Sequence, residues 1–125
     1  MRLEFLPSGS TDCPLIRLFE FTPTEAQELR EAVADLAAGR VERILVHALP
    51  GVEAVNGCEL VLCRRAWDQS IAQVGPMSFE CGFTVGTWEN VAGLIEPFTI
   101  GGDGYQWLAG IPGEAFMLLS PSGHW

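Results

Sequence analysis

Residues 22–40, TPTEAQELREAVADLAAGR, announce a helix at both ends. Thr22 is placed to cap it, Pro23 suits the first helical position, and Glu25 completes a capping box three residues after the cap. Gly39 supplies the stop. Ala26, Leu29, Val33, Leu36 and Ala37 recur at the helical period and form an apolar stripe. Glu28, Glu31 and Asp35 lie nearly opposite. A helix with one dry face needs a cover, and the segments on either side of it are strand-like.

Leu3–Leu6 and Leu15–Phe21 are expected to pair as a hairpin across residues 7–13. Val41–Leu49 and Cys58–Arg64 are expected to pair antiparallel around PGVEAVNG, which holds two turn signals, Pro50-Gly51 and Asn56-Gly57. With Leu49 opposite Cys58, the register sets His47 against Leu60 and Arg43 against Arg64; a slip of one residue would exchange the faces. Within the ambiguous stretch 65–78, Trp67–Val74 fits a strand or an irregular crossing. Phe79–Val85 alternates cleanly and reads as a strand with one wet face. A short second helix is expected over residues 88–96, capped by Thr87 and ended by Pro97. GGDG at 101–104 is a loop, and Tyr105–Ala109 with Ala115–Ser120 form a last hairpin around GIPGE. The sequence shows no internal repeat. The implied fold is α+β in one domain over 1–125: a mostly antiparallel sheet of five to seven strands, with the long helix (about 23–38) on one face and the short helix beside it.

Charge narrows the function. The net charge is -9, with 16 acidic residues against seven arginines and no lysine. Nucleic acid and anionic membranes call for a basic footprint, so neither is expected as a partner. No run is long and apolar enough to span a bilayer, and MRLEFLPSG lacks the apolar core of a secretory signal. Cys13, Cys58, Cys63 and Cys81 follow no framework and read as free thiols in a reducing cytoplasm. Charged residues are only 18% of the chain, a lean share that implies either a generous core or apolar surface hidden in an oligomer, a homodimer being the expected form.

Chemistry-bearing residues are few. Arg40, Arg43, Arg64 and Arg65 gather at one end of the expected sheet, beside the C-terminus of the long helix. Glu42, Asp68 and the helix carbonyls would neutralise them; otherwise the forks suit a carboxylate or phosphate. No catalytic set is expected; His47 and Cys58, diagonal neighbours in the expected register, come nearest to a nucleophile pair. Metal-ligand spacings are absent, GGDG has no following lysine, and no cofactor is expected. Trp88 and Trp107 read as core anchors. Trp125 is expected to fold back onto the sheet, with docking on a partner as the other reading.

Two functions follow. The first is a small acidic cytosolic interaction domain, not an enzyme, engaging a basic protein through Glu28, Glu31, Asp35 and Trp125. Immunity proteins that neutralise basic toxins share this charge and size, and the likeness extends no further. The second is a binder of, or enzyme on, an anionic small molecule held by the arginine cluster.

Overall fold

The structure is a computed structural model that describes residues 1–110 and 114–125. In chain order the elements are β1 (Arg2–Leu6), β2 (Leu15–Phe19), α1 (Pro23–Ala37), β3 (Arg43–Leu45), β4 (Glu53–Ala54), β5 (Glu59–Arg64), β6 (Ala72–Gly75), β7 (Ser78–Phe83), α2 (Val85–Thr99), β8 (Gln106–Ala109) and β9 (Phe116–Ser120). The class is α+β, with two helices packed on mixed sheets in which most pairings are antiparallel.

The strands divide between two sheets, ordered β4-β1-β2-β9-β8 and β3-β5-β7-β6. The hairpins β1–β2 and β8–β9 form as the sequence predicts, although the turn of the second, at 111–113, lies outside the described residues. Apart from the two-residue β4, the sheets repeat one plan. A hairpin (β1–β2, then β6–β7) leads into a helix of 15 residues (α1, then α2) and on to a second antiparallel pair (β3 with β5, then β8 with β9). Each second pair crosses to the other sheet. There it joins through one parallel contact, β2 with β9 or β7 with β5. The chain is thus a ββαββ unit built twice and exchanged, a repeat of topology that leaves no trace in residue identity.

The first helix forms for the reasons its sequence gives. Thr22 accepts the N–H of Glu25 at 3.2 Å, and Glu25 accepts the N–H of Thr22 at 3.0 Å. The second helix is longer than the expected 88–96 at both ends. Thr84, not Thr87, is its cap, because the Asp68 carboxylate reaches across to take the N–H of Thr84 and the hydroxyl of Thr87, at 2.9 and 2.7 Å. Pro97 sits inside the last turn instead of ending it. The carbonyl it leaves without a helical donor belongs to Gly93, which is exposed. Phe21, just before α1, meets Phe98, near the end of α2, with centroids 6.0 Å apart, so the helices run antiparallel side by side.

One core gathers the inner faces of both helices and both sheets. Leu3, Ile16, Leu18, Met117 and Leu119 come from the first sheet; Leu60, Leu62, Phe79 and Cys81 from the second. Burying an aliphatic side chain of this size contributes about 1.5–3 kcal/mol. Leu15, Phe19 and Leu118, also buried, lie on the opposite face of the first sheet, outside that core. The final segment, 121–125, folds over this outer face: Arg17 donates to the carbonyl of Gly123 at 2.9 Å, and Ser120 donates to that of His124 at 2.7 Å.

Candidate functional site

One strand register decides where the arginines go. Strands β3 and β5 pair antiparallel, as expected, but with Arg43 facing Cys63 and Ile44 facing Leu62, one residue from the predicted register. The connection between them is not a hairpin loop. It turns at Val46–Ala48, lends β4 to the edge of β1, and turns again at Val55–Gly57, so nothing in it fixes the pairing. The slip sends Arg43 and Arg64 to opposite faces of the second sheet. Arg64 shares the inner face with Leu60 and Leu62, and its guanidinium reaches the carbonyls of Leu36 and Val41, at 3.5 and 3.0 Å, beyond the end of α1. Arg40 pairs with Asp35 at 2.8 Å and Arg65 with Glu80 at 2.6 Å. Among the described residues Arg43 makes no ion pair. It lines a recess of about 180 Å³ with Glu42, Cys63, Arg65 and Glu80. Asp68, expected to help neutralise the cluster, is spent on the start of α2.

His47 and Cys58 lie on either side of the same connection. The imidazole Nδ1 accepts the backbone N–H of Leu60 at 3.1 Å, while Nε2 lies 3.6 Å from a Glu59 oxygen. That pair of contacts orients the ring as part of the β5 backbone. Cys58 is fully buried, and burial, with Glu59 and Glu4 adding to it, pushes its thiol up to about 11. A thiol in that environment is un-ionised at neutral pH and is a poor nucleophile. Burial also raises the thiols of Cys63, against the pull of Arg65, and of Cys81.

The exposed faces of α1 and α2 are acidic. Every charged side chain that the two helices expose fully, namely Glu28, Glu31, Glu89 and Glu96, is a glutamate. All four stand on exposed positions of the paired helices. Asp35, the third member of the stripe read from the sequence, is half-buried and held by Arg40.

Trp125 folds back, and its indole N–H donates to Asp12 at 2.9 Å. It closes one side of a recess of about 580 Å³ on the outer face of the first sheet. Tyr105, Trp107, Arg17 and His124 line the rest. Trp88 is the buried anchor expected, whereas Trp107 stands half-buried on this outer face, packed on Phe116 with centroids 5.5 Å apart. The Glu4 carboxylate holds Arg17 at 2.5 Å, and the Arg17 guanidinium lies over Phe19, 3.9 Å from its centroid. Asp12, Arg17 and Tyr105 as a group escape sequence reading. The density of aromatics at 105–107 is the one local signal, since the three come from a loop, a central strand and the residue just before an edge strand. The acidic helix surface and this recess lie on opposite sides of the core, so Glu28 and Trp125 do not share a surface.

Among the described residues no group of three or more His, Cys, Asp and Glu side chains is placed to hold a metal ion, and no helix is long and apolar enough to cross a membrane. No protein family, curated protein or solved structure matches the chain.

Proposed function

We propose that the protein is a cytosolic, non-enzymatic binding domain that engages a basic protein through its helix pair. The observation that carries this reading is the sign of the exposed helix charges: Glu28, Glu31, Glu89 and Glu96, with Arg30 half-buried and Arg40, just past α1, paired with Asp35. A net charge of -9 adds a long-range pull on a cationic partner. The anionic-ligand alternative has less support, since Arg40, Arg64 and Arg65 are each committed to a carboxylate or to carbonyls. Self-association, suggested by the lean charge, finds its best-placed surface at edge strand β6, where Val74 is 63% exposed.

The test is a charge-matched comparison. One variant neutralises Glu28, Glu31, Glu89 and Glu96 to Gln; the other neutralises Glu42, Glu53, Asp103 and Glu114, also exposed, to Gln or Asn. Titration with a nona-arginine peptide at physiological salt should weaken about tenfold in the first variant and less than about threefold in the second. Equal weakening would mean that net charge alone attracts the probe, and the reading would fall.

A further inference from the structure

We propose that the recess on the outer face of the first sheet binds an organic cation, either an ammonium or guanidinium side chain or a small quaternary ammonium compound. The inference is independent of the helix-pair reading, because the two surfaces lie on opposite sides of the core. It starts from the exchanged repeat. In the two sheets β2 and β7 hold equivalent places, as do β9 and β5, and β8 and β3. Arg17 on β2 therefore corresponds to Glu80 on β7, and the segment after β9 corresponds to the one that begins at Arg65. The 580 Å³ recess and the 180 Å³ recess are equivalent sites on the two halves.

Their contents have diverged. In the smaller site Arg65 lies over Gly82, where an added Cβ would meet its Cγ at 2.6 Å, and pairs with Glu80, so the site fills itself. In the larger site Tyr105, Trp107 and Trp125 stand around the hollow instead. Tyr105 is 51% exposed and Trp125 36% exposed, and Trp107 meets Tyr105 edge-on with centroids 6.2 Å apart. Large rings left facing water around one hollow are unusual for a surface that serves only to cover a sheet.

The polar groups choose the sign of the ligand. Arg17 is unavailable to an anion: Glu4 holds it, Gly123 takes one of its N–H groups, and Phe19 covers one face. Asp12 Oδ2 accepts the Trp125 indole N–H, and among the described residues Oδ1 has no partner. Aromatic faces beside a carboxylate attract a cation through the ring quadrupole and the charge together. The same sheet face already uses this chemistry, since the guanidiniums of Arg17 and Arg2 both lie over the Phe19 ring, at 3.9 and 5.3 Å.

The experiment titrates the full chain with choline, with Nα-acetyl-arginine methylamide, with 3,3-dimethylbutan-1-ol, the neutral isostere of choline, and with methyl glucoside. Binding is read from the indole N–H signals of Trp107 and Trp125 in proton–nitrogen correlation spectra. Expected are saturable shifts at both indoles for a cation and about tenfold weaker binding of the isostere. Losses of about tenfold are expected in Trp107→Leu, in Asp12→Asn, and in Tyr105→Leu, whose exposed ring can be removed without unfolding the protein. Preference for choline assigns a small-molecule ligand, and preference for the arginine derivative assigns a side chain of a partner protein. Three results would each overturn the proposal: equal binding of the isostere, tighter binding of methyl glucoside at the same indoles, or no shift at about 50 mM of either cation.

Discussion

Trp88 gives the sharpest test of the packing. Its indole is fully buried, donates to the carbonyl of Cys63 at 2.9 Å, and packs on Phe83 with centroids 4.9 Å apart. It joins the first turns of α2 to the end of β5. In Trp88→Phe the apolar ring survives but the donor does not. Depriving a buried carbonyl of its partner costs about 1–3 kcal/mol. An unfilled void of roughly 40 Å³ adds about 1 kcal/mol at ~24 cal/mol per Å³. The expected loss is about 2–4 kcal/mol, or about 8–15 °C in Tm. The assay is urea denaturation followed by far-UV circular dichroism, with Trp67→Phe as the control. Trp67 is 67% exposed, so that change should stay within about 0.5 kcal/mol. Combining Trp88→Phe with Phe83→Leu should depart from additivity by about 0.5–1.5 kcal/mol, because the rings touch. A loss below about 1 kcal/mol in Trp88→Phe, or strict additivity of the pair, would refute the reasoning.

Thr22→Ala should destabilise by about 1 kcal/mol in urea, and adding Glu25→Ala should cost less than it does alone, because the capping box acts as a unit. The Asp68 carboxyl is held below its usual range by the N–H of Thr84 and the hydroxyl of Thr87. Its stabilising effect should therefore be present above about pH 4 and fade as pH falls through the lower folded value; Asp68→Asn should remove that part of the acid limb in melts taken between about pH 2 and 6. Iodoacetamide at pH 7 should label only the half-buried Cys13 in the native protein, and Cys58, Cys63 and Cys81 once it is unfolded, as read by intact mass. Gly123 has φ +82°, and a Cβ there would lie 3.0 Å from Arg17 Nη1 and 3.1 Å from the Phe19 ring. Gly123→Ala should cost about 1–3 kcal/mol and broaden the Trp125 indole signal as the final segment lifts.

What could be read in the sequence was local. The cap at Thr22 and the stripe from Ala26 to Ala37 carry their structure within a few residues and formed where expected; the strand read over Phe79–Val85 formed as β7 but stops at Phe83, because Thr84 caps α2 and Val85 begins it. The expectations that shifted depend on distant contacts. Thr84 replaces Thr87 as a cap because Asp68, 16 residues earlier, holds its N–H. The register of Arg43 depends on a connection that lends β4 to another sheet. Parallel pairings such as β5 with β7 leave no turn residues to mark them. The aromatic recess was out of reach for the same reason: Asp12, Arg17 and Trp107 meet only after β9 has entered between β2 and β8.

That insertion sets an order of events during synthesis. The second sheet has all four of its strands once Phe83 has emerged, whereas the first waits for β9, which pairs Leu15 with Phe116 across most of the chain. Until then β2 is an edge, its hydrogen-bonding groups open along Leu15–Phe19. A nascent chain in that state is a template for any strand that arrives first, including the β9 of a neighbour. Exchange of the last hairpin between two copies would satisfy every pairing seen in one, so the final 20 residues or so decide whether each chain closes on itself or on its neighbour.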